Sequence, residues 1–111
     1  MKNFKNKVAA ITGAGSGIGQ QLAVLLAKQG CHLSLSDINE KGLAQTVELV
    51  KQYPVTVTTR VLDVSNRDAV KQWAQETVHD HGGVNMIFNN AGVALGSTVE
   101  GASYEDLEWI V

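Results

Sequence analysis

The chain has one cysteine, one proline and few aromatic residues, 5% of the total. A lone Cys31 excludes an internal disulfide framework and suits a reducing, cytoplasmic compartment. With strand-forming residues after it and no charged neighbour, Cys31 reads as a small buried apolar side chain rather than a nucleophile. No apolar run reaches the roughly 20 residues of a membrane span. The N-terminal Met1–Lys7 segment is basic but leads straight into a strand, without the apolar stretch of a signal peptide. Charge of one sign is also missing: a net charge of −2 gives no footprint for nucleic acid or an anionic surface. The three histidines, His32, His79 and His81, lack metal-ligand spacing. His79 and His81 lie two apart and share no helical face, so they are expected to be solvated or to lie against a helix end. No metal site is expected.

What is present is 44% hydrophobic residues in 111, enough for one domain with its own core. The informative stretch is residues 7–19. Val8 to Ile11 are apolar, as in a parallel strand covered on both faces. Gly13, Gly15, Gly17 and Gly19 follow at alternate positions. Ile18, Leu22, Leu25 and Leu26 then recur at helical spacing and predict a helix with that face buried. Strand, glycine turn and helix make a cradle for phosphate. Glycines let backbone N–H groups approach an anion, and the helix start supplies unpaired donors. The candidate contacts are Gly13, Ser16, Gly17, Ile18 and Gly19.

Strand and helix periods then alternate. Cys31 to Ser36 predict a second strand ending at Asp37, and Asn39 to Gln52 a helix with Leu43, Val47 and Val50 inward. Val55 to Leu62 predict a third strand, rich in β-branched residues. Ser65 with Asp68 reads as a capping box for a third helix that carries Val70, Trp73, Ala74 and Thr77 inward and ends near Gly82 and Gly83. Val84 to Asn89 predict a fourth strand. A looser segment from Asn90 to Ala102 follows, and Ser103 with Asp106 opens a last helix. Repeated βα units imply an α/β fold, a doubly wound parallel sheet of Rossmann type with strand order 3-2-1-4. In such a sheet Thr12, Asp37, Asp63 and Asn89 all fall at strand carboxyl ends, where ligands bind.

Asp37 places a carboxylate where an adenosine ribose would lie, able to accept from both hydroxyls. A 2′-phosphate there would meet like charge, about 4 kcal/mol per unit-charge pair at ~4 Å and an effective dielectric of ~20, before screening. Neither the stretch Thr12 to Gly19 nor Ile38-Asn39 after the acid offers a Lys or Arg. NAD is therefore favoured over NADP.

The glycine spacing is not the Gly-x-Gly-x-x-Gly of the common dinucleotide fingerprint. It is Thr-Gly-x-x-x-Gly-x-Gly, from Thr12 to Gly19, and it resembles the short-chain dehydrogenase/reductase family. Asp37, the dipeptide Asp63-Val64 and the tetrapeptide Asn89-Asn-Ala-Gly92, in that order, extend the resemblance over residues 7–92. The resemblance implies that the Asp63 side chain and the Val64 backbone face the adenine. It also implies that Asn90, Ala91 and Gly92 border the cofactor ribose. It implies hydride transfer between a nicotinamide and a small alcohol or carbonyl substrate, by a Tyr-x-x-x-Lys pair with Ser and Asn. That pair is missing: Tyr53 has Val57 and Tyr104 has Glu108 at the lysine position. Ser97 and Ser103 fall too early for the family's serine. No catalytic residue is therefore assigned. Residues 1–111 read as the cofactor-binding part of a dehydrogenase, cut before its catalytic half. Asn85 stands where the family commonly carries Asp, a change expected to touch a surface hydrogen bond. Beyond the cofactor, if the 111 residues are the whole polypeptide, the unpaired fourth strand is expected to pair with its copy in a second subunit or to drive aggregation. A non-catalytic NAD-binding module is the alternative reading. A methyltransferase is disfavoured by Asn-Asn-Ala-Gly.

Overall fold

A computed structural model describes residues 4–93. The loop and last helix expected beyond residue 93, with Ser97, Ser103 and Tyr104, lie outside the described residues. The elements run β1 (Val8–Thr12), α1 (Gly17–Lys28), β2 (His32–Asp37), α2 (Glu40–Val50), β3 (Val57–Val61), α3 (Arg67–His81), β4 (Met86–Asn89) and α4 (Asn90–Val93). All pairings are parallel and the sheet order is β3-β2-β1-β4, the order expected of a doubly wound sheet. Among the described residues no helix is long and apolar enough to cross a membrane.

β1 is buried at every position because helices cover both sides of it. Ala9 and Ile11 point to the side of α1 and α2, into a cluster with Leu33, Leu35, Leu26, Leu43 and Val50. Ala10 points the other way, towards Trp73 of α3 and Leu62. The polar residues of β2 follow the same alternation. Ser34 meets Thr77 of α3 at 2.6 Å, and Thr77 donates to the Trp73 carbonyl at 2.9 Å. The two buried hydroxyls satisfy each other, while Trp73 Nε1 on the same face is buried without a hydrogen-bond partner among the described residues. Cys31 is fully buried and free, and burial pushes its thiol up to about 11. It behaves as the expected apolar side chain.

Several elements differ from the sequence expectation. The buried face of α1 is Gly19, Ala23, Leu26 and Ala27, one position out of phase with the predicted face. Ile18 and Leu25 are 74% and 54% exposed. The period was right and its phase was not, because small residues let α1 lie close to the sheet and the bulkier side chains turn outward. In α2, Thr46 is buried and Val47 half-buried. In α3, Ala74 is exposed. The capping residue of α3 is Asn66, whose side chain accepts from the Ala69 N–H at 3.0 Å. Ser65 turns back to Asp63 instead. Gly82 closes α3 with φ of 82°, the left-handed geometry glycine adopts freely. Strands β3 and β4 are shorter than predicted. Asn90 begins α4, a single turn, where a loose segment was expected. Asn85 Oδ1 accepts from the Val8 N–H at 2.8 Å, and the Asn85 backbone N–H donates to the Val8 carbonyl at 2.9 Å. The amide oxygen thus does at the start of β1 what a carboxylate oxygen would do.

At the edge of the sheet, β3 is tied to α3 through side chains. Arg60 pairs with Glu76, and Thr58 shares a hydrogen bond of 2.8 Å with His81. His81 is therefore half-buried in this join rather than solvated. Desolvation holds its pKa below the ordinary 6.5, with Asp80 opposing and His32 assisting. A histidine depressed in the folded state is neutral there while the unfolded chain still binds a proton. Its contribution is thus complete above the unfolded value and is lost as pH falls through the folded one. Lowering pH from about 7.5 to about 5.5 is expected to lower the urea midpoint of the chain. The fall should be smaller in His81→Gln. Equal falls in the two proteins, followed by tryptophan fluorescence, would show that His81 does not carry the effect.

Candidate functional site: the glycine loop and the strand ends

The carboxyl ends of β1, β2, β3 and β4 converge on the loop between β1 and α1. Several backbone groups of that loop are held by partners from other elements. The Ala14 N–H donates to the Ser36 carbonyl at 3.0 Å, which continues the β1–β2 ladder one step past the strand. The Gly15 N–H donates to Asp37 Oδ2 at 2.7 Å. The other oxygen, Oδ1, accepts from the Asn39 N–H at 2.9 Å. Both oxygens of the acid are thus oriented by backbone donors, and charge-assisted bonds of this length are the stronger kind. Asp37 lies at the mouth of the glycine loop.

On the opposite side, Thr12 and Asn90 fasten the loop to β4 and α4. The Thr12 hydroxyl accepts from the Ala91 N–H at 3.0 Å and lies 3.0 Å from Asn89 Oδ1, to which it donates. Asn90 Nδ2 donates to the Gly13 carbonyl at 3.2 Å. The structure therefore brings Asn89, Asn90 and Ala91 against the glycine loop, with Gly92 in the same turn of α4. Two glycines make this fit possible. Gly13 has φ of 64°. A Cβ on Gly19 would stand 2.0 Å from the Gly13 carbonyl oxygen and 2.9 Å from Asn90 Nδ2.

The start of α1 is left open to a ligand. Ser16 is its capping residue but makes no side-chain cap, and the first turn holds no acidic residue. Ser16, Gly17 and Ile18 are exposed there. Space for a Cβ on Gly17 is empty to 4 Å. The first N–H groups of a helix have no partner within it, so these donors and the positive end of the helix face outward together. The donor set fits an anionic diphosphate with no charged side chain in the loop itself.

Beside the loop lies a cleft of about 80 Å³ bounded by Gly13, Asp37, Ile38, Leu62, Asp63, Val64 and Ala91. Its walls are apolar apart from the two carboxylates. Asp63 accepts on Oδ1 from both the Ser65 N–H at 2.9 Å and the Ser65 hydroxyl at 2.8 Å. These bonds hold its carboxyl below the usual carboxylate range. Ile38 is 65% exposed on one side of this cleft. Sequence reasoning passed over Ile38, although a large aliphatic residue directly after a strand-end acid was a usable signal. It also passed over Gln20 and Thr46, which lie beneath the loop. Thr46 is fully buried and donates to the Ala14 carbonyl at 2.7 Å. Its hydroxyl accepts from Gln20 Nε2 at 2.9 Å.

The model of the short chain dehydrogenase family matches residues 7–110. The chain belongs to that family. It is 42% identical over all 111 residues to SadH of Mycobacterium tuberculosis, of which it covers 40%. It is 41% identical over 109 residues to the short-chain dehydrogenase/reductase aba4 of Botryotinia fuckeliana, covering 96% of this chain and 42% of that one. Among solved structures it is similar to carveol dehydrogenase from Mycobacterium avium in complex with NAD. The TM-score there is 0.78 at 31% identity, over 83% of this chain and 38% of that chain. The chain spans about 40% of the length of the curated relatives it matches.

The tight approach at Gly19 generates a stability prediction. Gly19→Ala forces a methyl group into the Gly13 carbonyl, and neither backbone can move without breaking the Asn90 contact. The expected loss is about 3 kcal/mol, at the upper end of overpacking costs. It is read from the shift in urea midpoint, and a loss within ~0.5 kcal/mol of zero would mean that the loop is freer than this packing implies.

Proposed function

We propose that this chain is the dinucleotide-binding part of a short-chain oxidoreductase that uses NAD in preference to NADP. The observation that carries the reading is the Asp37 carboxylate, 2.7 Å from the Gly15 N–H at the mouth of the glycine loop. The carboxylate faces the place where the ribose beside a bound pyrophosphate would lie. In this reading the backbone N–H groups of Ser16, Gly17, Ile18 and Gly19 hold the pyrophosphate, with Gly13 giving the room for it. Asp37 accepts from the ribose hydroxyls. Ile38, Asp63 and Val64 bound the adenine, Asp63 accepting from its amino group. Asn90, Ala91 and Gly92 border the second ribose. The nicotinamide, when bound, supplies a hydride donor or acceptor. This chain's residues bind and orient it, and the family's Tyr-x-x-x-Lys pair is not among these 111 residues. Small alcohols or carbonyl compounds are the substrate class. The support is the family membership, the NAD in the carveol dehydrogenase complex, and the fit of the open helix start to an anion. A cytoplasmic location belongs to the same proposal, as does self-association through β4 in the case that residues 1–111 are the whole polypeptide.

The test is the affinity of the chain and of Asp37→Ala for NAD and NADP by titration calorimetry. The expected result is NAD binding weakened about tenfold, the size of one lost charged acceptor, with NADP binding level or improved. Loss of both affinities alike would mean that Asp37 holds the loop and does not select the cofactor. Mixed with NAD and secondary alcohols, the chain should bind without any growth of reduced-cofactor absorbance, because neither Tyr53 nor Tyr104 has a lysine four residues on.

A further inference from the structure

One peptide unit in the loop is held at both ends. The Ala14 carbonyl and the Gly15 N–H belong to the same plane and, in a trans peptide, point in opposite directions. The carbonyl accepts from the buried Thr46 hydroxyl at 2.7 Å. The N–H donates to Asp37 Oδ2 at 2.7 Å. Rotating the plane breaks both bonds at once. Thr46 has one proton to donate. The Gly42 carbonyl lies farther away, at 3.1 Å. The shorter distance puts the proton on the Ala14 carbonyl, and Gln20 Nε2 donates to the oxygen of the same hydroxyl from 2.9 Å. Gln20 Nε2 also lies 3.5 Å from the Gly15 carbonyl, so α1 and α2 brace the loop from below. The space there is fixed by the approach of α2. A Cβ on Gly42 would stand 2.4 Å from the Gly15 carbonyl oxygen.

We propose that Thr46, a buried residue of α2, is a positioning residue for cofactor choice. By holding the Ala14–Gly15 peptide it keeps the Gly15 N–H on Asp37 and so keeps the carboxylate where it rejects a 2′-phosphate. The inference rests on the cofactor reading above and deepens it. A carboxylate tethered by two backbone donors cannot swing aside, so a 2′-phosphate meets its full repulsion and a 2′-hydroxyl meets a ready acceptor. With the peptide released, Asp37 keeps one donor, Asn39, and can turn away. The freed Gly15 N–H then becomes a donor that a phosphate can use. Both changes act in the same direction on the ratio of the two affinities.

The experiment compares the chain with Thr46→Val, Thr46→Ser and Gln20→Met. It reads the dissociation constants of NAD and NADP by calorimetry and the Gly15 amide proton by NMR. In Thr46→Val the preference for NAD is expected to narrow about tenfold, equivalent to one charge-assisted hydrogen bond. The Gly15 amide should move upfield as it leaves the carboxylate. Thr46→Ser, which keeps the hydroxyl, should restore both readouts, and Gln20→Met should give a smaller change of the same sign. A role confined to stability would weaken both dinucleotides alike, and that result, or an unchanged ratio, overturns the inference while the cofactor reading stands. Should Thr46→Val fail to fold, Gln20→Met decides, since an unchanged ratio and an unmoved amide there overturn it equally. A chain that binds neither dinucleotide overturns the cofactor reading and this inference together.

Discussion

The bond from the Gly15 N–H to Asp37 is the constraint on which the geometry of the site depends. It joins the loop after β1 to the last residue of β2, and it forms because the ladder between those strands runs on past their ends. Ile11 pairs with Leu35 in register, and the Ala14 N–H then reaches the Ser36 carbonyl. The next donor in the chain falls on Asp37. A slip of one residue in this register would turn every side chain of β2 to the other face, and would remove the acid from the loop. The hydrophobic alternation that buries Leu33 and Leu35 on one face and sets Ser34 against Thr77 on the other therefore also fixes the position of the carboxylate. Core packing and site geometry are one specification here.

Close approach is the second condition, and it explains where this fold places small residues. Gly15 meets Gly42 of α2, and Gly13 meets Gly19 of α1 with Asn90 wedged beside them. A helix that must come this near its neighbour offers mostly Gly and Ala to the contact, with Leu26 the one large residue buried beside them. That is why α1 buries Gly19, Ala23 and Ala27, leaving Ile18 and Leu25 outside.

Much of this was legible in the sequence, for physical reasons that can be named. Apolar runs such as Val8–Ile11 mark strands covered on both sides, and the alternation of runs with helical periods marks a parallel α/β sheet, whose order follows from the doubly wound nucleotide-binding type. The polar residues at the strand ends, Thr12, Asp37, Asp63 and Asn89, followed from that order. The phase of α1 was not legible, because a pattern read on side-chain size assumes that the largest apolar residues face inward. Ser65 and Asn66 are both good capping residues, and sequence alone does not say which of two neighbours turns back. Thr46 was hidden for a different reason. Its role depends on a carbonyl brought to it from another element, and nothing in the spacing of α2 announces that partner.

The charge around the loop sets how any anion there must be held. Asp37 and Asp63 are the ionisable groups that bound the cleft, and no Lys or Arg lies between Thr12 and Gly19. A diphosphate in this place would meet neutral donors, the backbone N–H groups at the start of α1, and two carboxylates nearby. Attraction between opposite charges on side chains is absent from that balance, so the favourable part must come from how well the amides are aimed and from the aligned dipoles of α1. Aim is a property of backbone conformation. It is set by the positive φ at Gly13 and Gly17, by Asn90 on the Gly13 carbonyl, and by Thr46 on the Ala14 carbonyl. Where the described residues offer no cationic side chain to the cleft, an anion would depend on a rigid set of amides, and the buried hydrogen bonds beneath this loop supply rigidity.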